Sequence, residues 1–432
     1  MPSDSSHARK FLERLFRFQN KEQLLRRLEP HTDDPPQHVP GGAHITPEIV
    51  ERRWRRINAP VGVREELLNS IDAEQMELYS RNIENFIGMT RLPLGLAGPL
   101  RVNGLFAAGD YYLPLATTEA ALVASYHRGA CLLSQAGGCS AMLLAEGVSR
   151  SPGFAFDTAR LAGLFAAWIV EQLEEIRTAA QATTRHGTLE DLRITIEGNH
   201  VYLLLEFQTG DASGQNMATI ATEAACALIM ERSPVRPDYF FVEANMSGDK
   251  KASAQSFLTV RGKKVTAEAI IPADLVEQLL HTSPQRMTDY WRMSALGGVL
   301  SGTIGVQGHY ANGLAALYIA CGQDAACIAE SAVGVTRFEV RPDGALYAAV
   351  TLPNLMVGTV GGGTALPSQR ACLELMRLYG EGKARALAEV CAGAALAGEL
   401  SIIGALAAGE FTRAHRKLAR APELADGGES RG

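Results

Sequence analysis

The chain has 432 residues, 47% of them hydrophobic and 20% charged, with a formal net charge of −6 and a pI near 6.0. That is the profile of a folded protein of roughly two to three domains; it excludes a disordered chain and a global basic field for nucleic acid. Seven cysteines form no CxxC or other metal spacing, and their odd number argues against a disulfide framework, so a reducing cytoplasm and no metal are expected.

Taken in chain order, the N-terminus is charged throughout and shows no secretory signal. Residues 8–28 carry Phe11, Leu12, Leu15, Phe16, Phe18, Leu24 and Leu25 among basic residues, which predicts an amphipathic helix packing on a neighbouring domain or subunit, with a weak membrane-surface or targeting role as the alternative. A Pro-, His- and Gly-rich linker follows over 30–46, then a helical stretch over 47–83, so 1–83 reads as a helical N-terminal segment. Between 152 and 241 the pattern changes. A long amphipathic helix (157–182) precedes strands Leu192–Glu197 and Val201–Phe207, a loop Asp211–Gln215, a helix reaching about Glu231, and a strand Tyr239–Glu243. This αββαβ order suggests an inserted ferredoxin-like module, with 84–151 and 242–420 forming one large domain and 421–432 a frayed tail. The fold class is therefore α+β. The most membrane-like run, Cys391–Gly409, is rich in Gly and Ala and interrupted by Glu399, so it reads as a buried helix and not as a membrane span.

Chemistry-bearing residues fall in a few short segments. Asp324 is the one carboxylate in the apolar run Ile319–Ala326, where an ionised acid is costly unless a partner or a reaction needs it. Thr117-Thr118-Glu119 precedes Ala120–Ala124, so the threonines are expected to cap a helix whose first turn carries Glu119; alone, that is ordinary dipole complementation. Asp249-Lys250-Lys251 sits after a strand and turn, ahead of a β-rich stretch Ser256–Val265, and adjacent lysines by themselves read as solvated. His415 lies among Arg413, Arg416 and Lys417, at the end of a helix starting near Leu396. Gly358–Thr364 can bring backbone against a ligand or form a tight turn. Asp211–Asn216, opening a helix, offers free N–H groups to a diphosphate.

In this order, from about Glu84 to Arg420, these motifs resemble the 3-hydroxy-3-methylglutaryl-CoA (HMG-CoA) reductases. The pattern Ala116-Thr117-Thr118-Glu119, Leu122-Val123-Ala124-Ser125, Arg128-Gly129, with Leu96-Ala97-Gly98-Pro99, is similar to the class I branch in a soluble form. The resemblance implies an oxidoreductase of isoprenoid precursor synthesis, reducing HMG-CoA to mevalonate and CoA with two NADPH. It implies a large CoA-binding domain, an inserted NADP-binding domain, and a homodimer or homotetramer with active sites between subunits. Glu119 would then protonate the carbinol oxygen, Lys250 stabilise the oxyanion, Asp324 lie between the two, and His415 protonate the departing thiolate. Ser125, His127 and Arg128 fall on CoA contacts; Arg150, Asn245, Asp249, Lys251 and Asn312 fall on substrate contacts. Asp211, Ser213, Gly214, Asn216, Gly358, Gly361 and Gly362 would approach the cofactor. Thr184-Arg185 stands where the NADPH-using branch keeps a 2′-phosphate clamp, which favours NADPH over NADH.

Some positions depart from the family pattern. Ser213 and Gln215 make the cofactor loop more polar, Glu243 stands where a substrate-contacting serine is usual, and Arg292 replaces an expected lysine. Ala421 occupies the neighbourhood of the family's regulatory serine, so control by phosphorylation there is not expected. The alternatives are a reductase of another branched acyl-CoA thioester and a non-catalytic CoA-ester-binding relative.

Overall fold

The structure, a computed structural model, describes residues 39–57, 59–68, 76–80, 82–184 and 187–410, with single positions 13, 20 and 22. Most of the expected helix over 8–28, Arg185, His415 and the tail 421–432 lie outside the described residues. The chain gathers into two compact units, Met1–Thr90 and Arg91–Gly432.

In the first unit, α1 (Pro47–Trp54) begins where Thr46 accepts the Ile49 N–H and proline takes the first helical position. Buried Arg53 donates to the carbonyls of Pro40, Gly42 and Phe86, at 3.0 Å each, tying the chain before the helix to the chain after it. A turn at Pro60–Gly62 separates α1 from α2 (Val63–Leu68), so the helix expected over 47–83 is interrupted.

The second unit is built on a ten-stranded sheet. The hairpin of β1 (Leu94–Gly104) and β2 (Ala108–Ala116) is followed by α3 (Leu122–Gln135) and the long strand β3 (Cys139–Arg150). One part of β3 runs parallel to β1 and antiparallel to a later strand, while its end, Val148–Arg150, pairs with β6 of a smaller group. That group comprises β4 (Gly153–Ala155), α4 (Ala159–Glu171), α5 (Leu173–Gln181), β5 (Thr188–Glu197), β6 (His200–Gln208), α6 (Gln215–Arg232) and β7 (Tyr239–Phe241). Its strand order is β7-β4-β6-β5 with every neighbouring pair antiparallel. Two details differ from expectation. A leading strand precedes the first helix, only three residues long and so too short to show a two-residue period, and the helix over 157–182 is two helices meeting at Gln172.

The chain then returns to the large sheet through β8 (Gly262–Ile271), α7 (Ala273–Leu280), α8 (Pro284–Ser301), α9 (Tyr310–Ala320), α10 (Ile328–Ser331), β9 (Val335–Val340), β10 (Leu346–Leu355), α11 (Pro367–Leu375) and α12 (Ala384–Ala407). The β-rich stretch expected from Ser256 starts at Gly262, because Ala254–Phe257 forms a 3-10 turn. Mixed helix and sheet make this an α+β chain.

Among the described residues, α12 alone is long and apolar enough to cross a membrane, and 89% of its most apolar window is buried inside the fold. It starts before Cys391 and Leu396 and ends at Ala407, so the expected helix running to His415 is corrected. Two fully buried acids sit on it. Glu389 accepts the N–H groups of Leu105, Phe106, Ala107 and Leu143. Glu399 accepts those of Gly308 and His309 and the Thr336 hydroxyl at 2.7 Å. Each carboxylate is tolerated because backbone donors replace water.

Candidate active site

Lys250 and Asp324 meet: Nζ lies 2.7 Å from Oδ2. After α9, Gly322 takes a left-handed conformation (φ 66°) and the chain turns outward, so Asp324 is exposed and not buried as its apolar neighbours suggest. Its other oxygen accepts the Ala326 N–H at 3.0 Å and caps the 3-10 turn Ala325–Cys327. The hydrogen bond it donates to Asp324 holds the Lys250 ammonium above the usual lysine range, against burial, with Cys327 and Asp249 adding to the effect. Lys250 itself has a left-handed backbone (φ 57°), and its N–H donates to Glu330 Oε1 at 3.3 Å.

Beneath this pair runs a ladder of alternating charge. Asp249 bridges Arg150, whose Nη1 is 2.5 Å away, and Arg261. Burial pushes the Asp249 carboxyl up, but Arg261 and Arg150 together bring it below the usual range. Arg261, 2% exposed, also meets fully buried Glu330, Nε to Oε2 at 2.8 Å, as an ion contact without hydrogen-bond alignment. Burial raises the Glu330 carboxyl, opposed by Arg261 and the Lys250 N–H. Glu243 closes the other end, 3.7 Å from Arg150, and accepts from the N–H groups of Ser151 and Asn245 and from the Ser247 hydroxyl. The unusual acid is thus paired. Arg150 is buried with Nε on Thr219 at 2.8 Å, so its donors serve the protein. Lys251 is exposed and donates to the Asp249 carbonyl at 2.7 Å. Sequence reasoning missed Arg261 and Glu330, although Glu330 follows Ala326-Cys327-Ile328-Ala329 and is as isolated an acid as Asp324.

Glu119 stands elsewhere. Thr117 Oγ1 accepts the Glu119 N–H at 3.0 Å, but α3 starts only at Leu122, after Ala121 at φ 71°. The expected cap therefore holds a turn, and Glu119 precedes the helix. Asn312 Nδ2 donates to Glu119 Oε1 at 3.3 Å. Both line a cavity of about 490 Å³ with Ser125, Arg128, Tyr290 and His309. There Arg128 and Ser125 share Ser401: Nη2 to its carbonyl at 2.8 Å, and hydroxyl to hydroxyl at 2.9 Å. His127, one helical turn before Cys131, is exposed. Among the described residues no hydrogen bond or ion pair joins Glu119 to Lys250 or Asp324.

The two glycine-bearing loops come together beside Asp324. Gln323 exchanges two hydrogen bonds with Gly358, at 2.8 and 3.0 Å, and Thr359 N–H reaches the Asp211 carbonyl at 2.9 Å. A Cβ at Gly358 would stand 2.7 Å from Ser213 N, so this crossing needs glycine, whereas Gly361 and Gly362 face open space. The Asp211 carboxylate caps the start of α12 through Gly382 and Ala384 N–H, a structural use of a residue expected at the cofactor. Gly214 begins α6 with no side-chain cap, followed by Gln215 and Asn216. Thr184 accepts the Gly187 N–H and lies 3.1 Å from Met217 Sδ, next to the first turn of α6. An uncapped helix start beside open glycine backbone fits the diphosphate of a dinucleotide.

A fixed cation beside backbone that can receive a dinucleotide is one arrangement that suits hydride transfer to a carbonyl, the class of chemistry this geometry is compatible with. The sequence profile described as Hydroxymethylglutaryl-coenzyme A reductase matches residues 49–420. A 3-hydroxy-3-methylglutaryl-coenzyme A reductase of Pyrococcus horikoshii is 42% identical over 89% of this chain and 94% of its own. The corresponding protein of Aeropyrum pernix is 45% identical over 80% and 83%. Among solved structures, the reductase of Streptococcus pneumoniae has a TM-score of 0.61 at 20% identity over 74% of this chain and 86% of its own, a likeness of fold. The chain belongs to the hydroxymethylglutaryl-coenzyme A reductase family.

Proposed function

We propose that this chain carries out the four-electron reduction of HMG-CoA: HMG-CoA, two NADPH and two protons give mevalonate, CoA thiol and two NADP⁺. The observation that carries the reading is the Lys250–Asp324 pair at 2.7 Å, set beside the Gln323–Gly358 contact of the glycine loop. The uncapped start of α6 and the open backbone of Gly361 and Gly362 would hold NADPH, which would supply the hydride for each reduction. Lys250 stabilises negative charge developing on the thioester oxygen, and Asp324 holds the ammonium in place. Glu119, steadied by Asn312, gives a proton to the carbinol oxygen. Ser125 and Arg128 hold the CoA portion in the cavity they share with Glu119. His415 protonates the leaving thiolate, and Arg185 grips the 2′-phosphate of NADPH.

A homodimer or homotetramer whose sites form between subunits is compatible with Glu119 having neither hydrogen bond nor ion pair to Lys250 or Asp324 among the described residues. The order β7-β4-β6-β5 supports a ferredoxin-like insert over 152–241 that holds the cofactor within a domain of 84–151 and 242–420. Seven cysteines without a disulfide support a cytoplasmic location. A second reading, reduction of another branched acyl-CoA, is favoured by the engaged donors of Arg150 and by Arg292, which pairs with Asp289 on the surface. Purified protein with HMG-CoA should oxidise two NADPH per thiol released. Turnover only with a different acyl-CoA refutes the first reading, and no turnover with any thioester favours a non-catalytic relative.

A further inference from the structure

We propose that Glu330 is a positioning residue that sets the backbone of Lys250 and thereby aims its ammonium. The inference rests on the functional reading above for what the ammonium does, but its geometry stands alone. The segment from Glu243 to Lys250 contains three left-handed residues besides its turns: Asn245 at φ 68°, Gly248 at φ 73° and Lys250 at φ 57°. For lysine that conformation is disfavoured and persists only where surroundings over-determine it. Three acids supply the restraint. Glu243 takes the Asn245 N–H and the Ser247 hydroxyl, Asp249 is clamped between Arg150 and Arg261, and Glu330 takes the Lys250 N–H itself.

Glu330 differs from the other two. It is fully buried on α10, and the same short segment, Asp324 to Ser331, also carries the carboxylate that receives the ammonium. One continuous segment therefore grips Lys250 at both ends, backbone N–H and side-chain Nζ. The groups facing Lys250 are Asp324, Asp249 and Cys327; those facing Glu330 are Arg261, Asp249 and Cys327, with the Lys250 N–H. Arg261 anchors Glu330 from beneath and is itself fixed by the Ser149 carbonyl, by Asp249 and, through its N–H, by the Asn354 side chain. Losing the Glu330 carboxylate frees the backbone of Lys250, and the ammonium drifts from Asp324.

Two readouts separate this from a merely structural role. The first is the titration of Lys250, followed by competitive acetylation with acetic anhydride and peptide mass spectrometry, which needs no catalysis. Asp324 holds the Lys250 pKa up, so releasing the ammonium moves its midpoint to lower pH. The second is steady-state kinetics with HMG-CoA and NADPH. In Glu330→Ala the midpoint should fall and kcat drop about tenfold to a hundredfold, with both KM values little changed, as expected of a displaced reacting group. Glu330→Gln keeps one acceptor oxygen but must divide it between the Lys250 N–H and Arg261, so both readouts should fall between Ala and wild type. If Glu330→Ala does not fold, Glu330→Gln alone decides. A wild-type Lys250 midpoint and wild-type kcat in a folded variant overturn the proposal, and so does lowered stability with an unmoved Lys250 midpoint. A wild-type protein inert toward HMG-CoA and NADPH would instead overturn the functional reading, while the labelling experiment would still test the positioning.

Discussion

Replacing Asp324 by Asn separates the catalytic value of the Lys250–Asp324 pair from its structural value. The Nζ–Oδ2 distance of 2.7 Å is that of a charge-assisted hydrogen bond, but the two side chains are 40% and 42% exposed. Solvent screens such a pair, so its contribution to folding is no more than about 1 kcal/mol. Under the proposed function the ammonium meets a developing oxyanion, and a donor no longer aimed at that oxygen costs up to about a hundredfold to a thousandfold in rate. Asp324→Asn should therefore keep its denaturation midpoint close to wild type while kcat for NADPH oxidation with HMG-CoA falls by about that factor. The pH dependence carries a sign. Lys250 titrates above the ordinary lysine value because of Asp324, so the pairing stabilises fully below about pH 10.4 and is lost as pH rises through the raised value. In Asp324→Asn the alkaline limb of kcat should move to lower pH. Wild-type kcat in the variant, or a large fall in stability matching the fall in rate, would refute this account.

Two further variants probe other parts of the site and core. Gly358→Ala places a Cβ 2.7 Å from Ser213 N and 3.0 Å from the Asp211 carbonyl; it should raise KM for NADPH, leave KM for HMG-CoA unchanged, and cost about 1–3 kcal/mol in urea denaturation. Glu399→Ala strands the Gly308 and His309 N–H groups inside the core, each unmet donor costing about 1–3 kcal/mol, while the Thr336 hydroxyl keeps the Tyr310 hydroxyl at 2.8 Å; a clear drop in urea midpoint is expected, and none would mean that water replaces the carboxylate.

The parts of the site legible in sequence were those whose residues stand close together. Asp249-Lys250-Lys251, Thr117-Thr118-Glu119 and the glycine run 358–364 each have an ordinary reading alone and become candidates only through their order and the family resemblance, whereas the Gly/Ala texture of α12 marks it as a core helix. What escaped depends on meetings between distant segments. Nothing local indicates that Arg261 would lie between Asp249 and Glu330, or that Thr219 and Asp249 would occupy the donors of Arg150. The fate of Asp324 shows the same limit in reverse. Its apolar neighbours suggested burial, but Gly322 at φ 66° turns the chain outward, and a single backbone dihedral outweighs the hydrophobic average of the segment. Likewise α3 begins at Leu122 because Ala121 adopts φ 71°, a conformation that the two threonines before it do not reveal.

The division of charge around Lys250 has its own logic. Buried ion pairs are poor stabilisers, because removing the ions from water costs about as much as their attraction returns. The Arg261–Glu330 contact, with both partners almost wholly buried, is therefore an unpromising way to strengthen the fold. It is a good way to hold a position, since buried charges are little screened by salt and removing either partner leaves the other uncompensated. The upper pair is built the opposite way: Lys250 and Asp324 stay nearly half exposed, so the ammonium can exchange its carboxylate for a reacting oxygen. Rigidity resides in the lower tier and availability in the upper, joined at the Lys250 N–H on Glu330. High salt should accordingly weaken the upper pair while leaving the backbone of Lys250 in place. Raised ionic strength would then lower the alkaline limb of the rate in the wild type without reproducing the loss of kcat expected for Glu330→Ala.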